Sequence, residues 1–506
     1  MLGSAAGLLA IGAAQAADLP VKAKAIEYVK ICSLYGPGFY YIPGTDTCIK
    51  LGGLLRMDVV VNSNVDNTGN TSGAGAANNR FTNGYTWRSR EDLIIDTRSA
   101  SEYGMVRTYF QAAFSWASDS YAGTGTGATI YSPIGTAQAP NNAGRGAVAA
   151  GTVGVYYAFI QFAGFTMGKA VSQFSAPWAN YPGNSFDGLV GGGGTITGVN
   201  QFTYTAQFGN GVSLSLSAQD QTQYYQAGVN NISAGGPYGT SDYAGTIAPD
   251  LVAMLRVDQA WGLFQASFAA HDNHAAYYGA LGELSGHPDD KWGWAGQLAL
   301  SIKNIPTGPG DTINLQGVYT DGATGYNIQD LAGSAGANTI YGGTNLPGTY
   351  QSVGLGIAPD TVFAAGTSQQ AVKTWGFDGA YVHNWNPYWN TSIYGAYAQV
   401  MYNDTAKGLL CGVGGVGGSV QATLNALGGA ITRCNPDFSI AQIGTQTQWT
   451  PVKNLTFTAD LTYTHLDQKY AGTVVASSAA IGKPAALYEL KNQNTLLLLL
   501  RANRNW

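Results

Sequence analysis

Charge is scarce in this chain. Asp, Glu, Lys and Arg together make up 10% of its 506 residues, against about 25% in a typical soluble protein. The 24 basic and 29 acidic residues leave a net −5 with no basic stripe or polybasic run, so no nucleic-acid partner is expected. Histidine is scarcer still: the five residues are too scattered to suggest a metal or another cofactor. Beyond the first few residues, no stretch approaches the roughly 18 apolar residues that mark a helical membrane span. No nucleophile elbow or catalytic triad emerges, so no enzyme is expected. Gly412-Val413-Gly414-Gly415-Val416-Gly417 matches a dinucleotide motif only in letters, because that motif needs a strand before it and a helix after it.

What is abundant is Gly (70), Tyr (31), Phe (17) and Trp (11). The mean hydropathy is −0.04, with the polarity supplied by Thr, Ser, Asn and Gln. Such a composition suits a wall with one face in lipid and the other in water. An aromatic content of 12% argues against a disordered chain.

The dominant pattern is period-2 alternation. Phe202, Tyr204, Ala206 and Phe208 alternate with Thr203, Thr205 and Gln207; Gly209-Asn210-Gly211 signals a tight turn; Val212, Leu214, Leu216 and Ala218 then alternate with Ser213, Ser215, Ser217 and Gln219. This reads as a hairpin with one apolar and one polar face. The device repeats over sixteen candidate strands near 50–62, 86–97, 103–116, 153–162, 165–173, 200–208, 211–220, 251–259, 262–271, 292–302, 311–320, 372–383, 389–400, 438–449, 455–466 and 493–506. Most have the length a tilted strand needs to cross a bilayer, about 9–11 residues. The strands near 438 and 493 alternate poorly. Short connections alternate with long ones along the chain, the long ones near 63–85, 117–152, 174–199, 221–250, 272–291, 321–371, 401–437 and 467–492. In an up-and-down barrel every second connection emerges on the same side, and backbone groups in lipid must all be paired, which favours closure. The expected fold is all-β: a transmembrane antiparallel up-and-down β-barrel of about 16 strands, with long extracellular loops, one of them folded into the lumen.

The N-terminus suggests export. Leu2–Ala16 is a short apolar run ending in Ala14-Gln15-Ala16, a small-x-small cleavage signal. A basic n-region is missing, and the natural start is expected a few codons upstream. The chain thus divides into a signal peptide at 1–16, an N-terminal periplasmic or lumenal segment at 17–49, and the barrel at 50–506. In an exported chain, Cys32, Cys48, Cys411 and Cys434 read as disulfides. Three connectivities are open; local pairing is the expected one, with free thiols the alternative.

Charges lining the lumen set the selectivity of a wide barrel. Arg56 and Asp58 lie opposite Leu55, Met57 and Val59; Arg88, Arg90, Asp92, Asp96 and Arg98 lie opposite Leu93 and Ile95; Arg107 is on the polar face of the third strand. A lipid-facing Arg at mid-bilayer costs about 2–4 kcal/mol, so these side chains are expected to line the pore. The connection 174–199 holds Pro177, Trp178, Tyr181, Pro182 and Phe186 and then a run of glycines. It is expected to fold inward as a constriction, with Asp187 facing the Arg wall across a transverse field. His271-Asp272-Asn273-His274 reads as polar surface at a strand–loop junction.

Several segments also carry a resemblance. Ala17-Asp18-Leu19-Pro20-Val21-Lys22-Ala23 is followed by Tyr28–Gly36 (YVKICSLYG) and Phe39–Gly53 (FYYIPGTDTCIKLGG), leading into the first strand. Over 17–60, and again at Asn83–Asp96, Phe174–Asp187 and Asn200–Asp220, the chain closely resembles the alphaproteobacterial outer-membrane porin family of the Rhizobiales (the Brucella Omp2 type). The resemblance implies a sixteen-stranded trimeric general porin of the bacterial outer membrane, surrounded by lipid and passing small hydrophilic solutes. It also implies that Cys32 and Cys48 form the N-terminal pair and that 174–199 is the inward loop. The family usually ends in Phe; here Trp506 keeps a terminal aromatic as the assembly signal. The expected function is a water-filled channel for passive diffusion of small hydrophilic solutes and ions. The alternatives are a barrel channel specific for a sugar or organic acid, and a surface adhesin without a pore.

Overall fold

The computed structural model describes residues 30–63, 85–117, 152–178, 181–185, 189–192, 198–220, 226–234, 239–328, 340–343, 350–412, 420–426, 428–478 and 483–506. The expected signal peptide lies outside them, as do most of the residues of the 412–417 glycine motif.

Alternating side chains produce long antiparallel strands. They are β1 (Cys48–Asn62), β2 (Tyr85–Ser101), β3 (Gly104–Ala117), β4 (Thr152–Phe162), β5 (Phe165–Ala170), β6 (Val199–Gly209), β7 (Val212–Gln219) and β8 (Asp250–Gln259). The second half comprises β9 (Gly262–Asn273), β10 (Lys291–Lys303), β11 (Thr312–Asp321), β12 (Lys373–Asn386), β13 (Trp389–Met401), β14 (Phe438–Val452), β15 (Leu455–Gln468) and β16 (Gln493–Asn505). Together with the two-residue strand Tyr40–Tyr41 they form one 17-stranded sheet. Each barrel strand pairs with its neighbours in sequence. β16 returns to β1 in a ladder running from Leu54–Asn505 to Asn62–Leu497, so the sheet is closed. Closure gives the first and last strands a partner each, as backbone in lipid requires.

Burial follows the sequence period. Leu55, Leu298, Ile393 and Ile443 are each about 60% exposed and face outward, while Thr203, Ser215, Gln265, Thr320 and Thr374 on the other parity are buried inside the ring. Aromatic rings cluster near both strand ends. Trp389, Trp449 and Phe457 stack at 5.6 and 5.5 Å near the short turns. Trp294 meets Phe268 at 6.2 Å and Tyr319 at 5.3 Å nearer the long loops. Short turns use left-handed residues such as Asn210, Asn304 and Asn454, as tight hairpins require.

Three features depart from expectation. The strand expected at 165–173 ends at Ala170, because the chain leaves the wall there to enter the lumen. The long connections carry structure of their own. Val229–Asn231, Thr240–Ser241, Thr361–Phe363 and Gln370–Ala371 form one small sheet, and five segments between Ile340 and Leu490 form another. Helices α1 (Asp404–Cys411) and α2 (Val420–Ala426) sit beside them; Asn403 caps α1 by accepting the Ala406 N–H at 2.7 Å. The interior is also not polar throughout. Against β12–β15 an apolar cluster joins the wall residues Ala380, Ala396, Ala398 and Ile440 to Leu189, Val190, Ile357 and Val362 from the loops. Small wall residues leave room there for loop backbone.

His271 is a correction to the surface reading: it is wholly buried. Its Nδ1 lies 2.9 Å from Asp250 and its Nε2 3.4 Å from Asp360, which comes from the β11–β12 connection. That connection folds over the strand end, and its carboxylate caps what the local sequence presents as an exposed junction.

Candidate functional site

The register of β1, β2 and β16 builds one charged wall. Asp58 lies directly opposite Arg88 on one side and Arg501 on the other; Arg56 lies opposite Arg90 and Asn503. Directly opposed residues bring their Cβ atoms to about 4.5–5.5 Å, so these side chains must interact. The Asp58 carboxylate receives Arg88 Nε at 2.9 Å, a second bond from Arg88 Nη2, and Arg501 Nε at 2.7 Å. Arg56 Nε donates to Asn503 at 3.1 Å, and Arg90 Nε to Ser115 at 2.9 Å. Nearer the short turns, Asp96 takes paired bonds from two guanidiniums. Arg98 reaches it at 3.2 and 2.9 Å, and Arg107 at 3.1 and 3.0 Å. Gln111 donates to Asp92 at 2.9 Å.

The opposite boundary is the connection after β5, which runs inside the ring. Phe174 O accepts from Gln265 and Gln297 at 3.3 and 3.2 Å, and Asn314 donates to Pro182 O at 2.8 Å. Ser392 donates to Gly183 O. Ser185 N donates to Asp460 at 2.6 Å while Gln446 donates to Ser185 Oγ at 2.7 Å. Val190 N and Gly191 N donate to Gln442 and Asn327 at 2.9 and 3.1 Å. Gly191 has φ +91, and a Cβ there would stand 2.2 Å from Phe377 O, so only glycine lets the backbone lie this close to the wall. The loop is thus seated on the inner faces of β9 to β15, leaving β16 and β1–β4 to face it.

Between loop and wall lies a pocket of about 250 Å³, bordered by Arg56, Arg90 and Arg501 on the wall and by Tyr181, Asn184 and Ser185 on the loop. Tyr156, Tyr157, Asp92 and Gln111 complete it. The arrangement is a narrowed lumen with forked cationic donors on one side and neutral hydroxyl and amide groups on the other.

A family model described as "Porin subfamily" matches residues 18–499. The chain belongs to the porin family. Relatives include "Porin Omp2b" of Brucella suis biovar 1 and "Porin Omp2a" of Brucella melitensis biotype 1. Each is 30% identical over 277 residues, a stretch covering 54% of this chain and 65% of the relative, just under two thirds of its length. Among solved structures, the outer membrane channel DcaP of Acinetobacter baumannii shares the fold with a TM-score of 0.56 at 15% identity, over 92% of this chain and 99% of that one. The protein is accordingly a multi-strand outer-membrane barrel. In porins the short turns are periplasmic and the long loops extracellular.

With that orientation, the residues singled out in the sequence fall as follows. Arg56, Asp58, Arg88, Arg90 and Arg107 all lie on the inner face of this porin. Arg56 and Arg90 border the narrowing, Asp58 and Arg88 are buried beside it, and Arg107 lies on the periplasmic side with Asp96. Asp187 lies outside the described residues. Arg501 was missed, although it shares the parity of Gln493 and Thr495 in β16; the Leu496–Leu500 run obscured it. Within that run, Leu497 and Leu499 point inward onto Val60, while Leu496 and Leu500 face out. Asn184 and Ser185 carried no signal that could have found them.

Both disulfides are local, Cys32–Cys48 and Cys411–Cys434. The first ties a small hairpin to the periplasmic end of β1, where Phe39 packs 4.7 Å from the Arg98 guanidinium. The second joins the end of α1 to the strand Ala430–Arg433 and its neighbour in the extracellular loops. Trp506 exchanges backbone bonds with Gly53 at 3.0 and 3.2 Å, and a Cβ on Gly53 would stand 2.7 Å from its ring. The terminal aromatic therefore has a seat on the closing strand.

Proposed function

We propose that the chain forms a water-filled channel through which small hydrophilic solutes and ions cross the outer membrane by passive diffusion. The observation that carries this reading is the loop seated on one side of a closed barrel, leaving a polar, charged gap on the other. A surface adhesin needs no such narrowing. A channel specific for a sugar or organic acid would share the architecture but show saturation. The test is swelling of liposomes containing the purified protein. Small sugars should enter at rates falling steeply with size and proportional to concentration. Absence of swelling with every solute would contradict the channel.

The reading extends to Arg56, Asp58, Arg88, Arg90 and Arg107 as the residues that set the passage, and to Asp187 as a loop charge acting with them. It also keeps 1–16 as a cleaved export signal and 17–49 as a periplasmic segment.

Assembly as a homotrimer in outer-membrane lipid belongs to the same reading. Glu91 supports contact between copies. Its partners in register, Leu55 and Phe114, both face outward, so Glu91 does too. Outward-facing Thr97 and Thr108, bonded to each other, lie on the same sector. Polar groups on the outer wall are better accommodated by a neighbouring copy than by lipid.

A further inference from the structure

The inner faces of β3 and β4 carry a row of aromatic rings that the barrel itself does not need. Tyr109 stands directly opposite Phe159, and Gln111 directly opposite Tyr157. Ile160, on the other parity of β4, faces outward, so Phe159 and Tyr157 point into the lumen with their partners. Tyr109 stacks on Phe159 at 5.3 Å and 18°, and its ring lies 6.2 Å from Tyr157. The ladder then skips a residue: Gln111 pairs with Tyr157, but Ala112 pairs with Val155. A bulge of this kind re-aims a side chain. Here it adds Tyr156 to the inner face, where it borders the pocket beside Tyr157. Other large rings inside the barrel, such as Phe174, Tyr326 and Phe438, are packed away in apolar clusters. Tyr109, Tyr156, Tyr157 and Phe159 stay only half-buried, and a contiguous exposed apolar surface marks a contact with something else. Polar groups flank the row. Gln111 donates to Asp92 at 2.9 Å and accepts from Tyr109 OH at 3.2 Å; Gln161, beside Phe159, donates to Thr166 at 3.2 Å. Asp92 borders the pocket and is 4% exposed, and its Oδ1 has no hydrogen-bond partner among the described residues.

We propose that the Tyr109–Phe159–Tyr157–Tyr156 strip is a saccharide subsite on the lumen wall, holding a short, neutral, linear oligosaccharide in passage. A sugar ring has an apolar C–H face and a rim of hydroxyls. The face lies against aromatic rings, which offer a large apolar surface. The hydroxyls both donate and accept, as the amides of Gln111 and Gln161 also do, and the Asp92 carboxylate lacks a donor of that kind. An apolar floor with a few placed polar groups is the usual make-up of a small-molecule site. Phe159 to Tyr156 spans three residues of strand, about 10 Å, so the strip is longer than one sugar ring. A monosaccharide covers part of it and passes freely, whereas a longer chain covers several rings and is held. This inference rests on the channel reading above and adds a solute class to it.

The test is recording of the purified full-length protein in a planar bilayer in KCl, with maltotriose added to one side. Maltotriose should lower the current saturably. Polyethylene glycol of similar mass, in a parallel arm, has no ring to stack and should lower it only in proportion to concentration. Tyr109→Ala with Phe159→Ala should need about tenfold more maltotriose for half the effect. Tyr109→Phe, which keeps the ring, should respond as wild type. If the double Ala variant fails to insert, Tyr109→Leu with Phe159→Leu decides the matter, since it keeps apolar bulk and loses both rings; it too should lose the saturable response. Open channels on which maltotriose acts no differently from polyethylene glycol, or acts equally on wild type and the ringless variants, would overturn the subsite while leaving the channel intact. A complete absence of conductance would instead overturn the channel reading.

Discussion

Asp58 holds two guanidiniums at once with its carboxylate sealed from water. Removing one partner from a buried ionic group typically costs about 3–5 kcal/mol, because the other charges stay buried and unpaired. Asp58→Asn is therefore expected to lower the resistance of the folded barrel to heat and urea markedly; unchanged unfolding midpoints in detergent would contradict the account. Asp311 makes a different residue-level case, in the periplasmic turn before β11. Burial alone would raise its carboxyl pKa, but Thr307, the Asn384 N–H, His383 and Tyr381 all donate to it and hold it below the usual carboxylate range. A depressed folded value contributes stability above the ordinary carboxylate pKa of about 3.9 that is lost as pH falls through the folded value. Asp311→Asn should thus be less stable than wild type at neutral pH, with the gap closing only below about pH 4. A gap that does not change with pH would count against it. At this scale the sequence showed which side chains point inward, since parity fixes that. Their partners were hidden, because Asp58–Arg501 and His271–Asp360 join positions distant in the chain.

The elements divide between wall and loops. The strands were legible because each repeats a two-residue period between turn residues. β14 and β16 blurred where their inner faces are apolar, at Ile440 against the loops and at Leu497 and Leu499 against Val60. The inward course of the β5–β6 connection could be read from its glycines and aromatics, but not its seat, which is built from amides and hydroxyls contributed by β9 to β15. That seat yields a prediction. Asp460→Ala removes the acceptor for Ser185 N, Tyr394 and Gln446, each buried loss costing about 1–3 kcal/mol. The loop should loosen, raising open-channel noise; quiet currents identical to wild type would speak against the seat. For the outer face, Glu91→Lys is expected to shift the assembly toward monomers in mild detergent, measured by mass photometry. An unaltered distribution would remove Glu91 from the interface.

The whole molecule combines a lipid-facing cylinder with a partly filled interior. Closure through β16 and β1 satisfies the backbone in lipid. The loops then pack an apolar cluster against one side of the lumen, opposite the wall that carries Arg56, Arg90 and Arg501. The sequence indicated the closed ring and the one-sided charge. It gave no sign that the extracellular loops pack together as small sheets, because those contacts link segments separated by more than a hundred residues, such as Ser352 with Glu489.

Whether an open aqueous path runs through that ring can be read by single-channel recording of the wild-type protein. An open path gives stepwise insertions, each with a linear current–voltage relation at low voltage and a conductance that rises with salt concentration. A protein that inserts into the bilayer, verified by its heat-modifiable migration, yet passes no current at any salt concentration would contradict it.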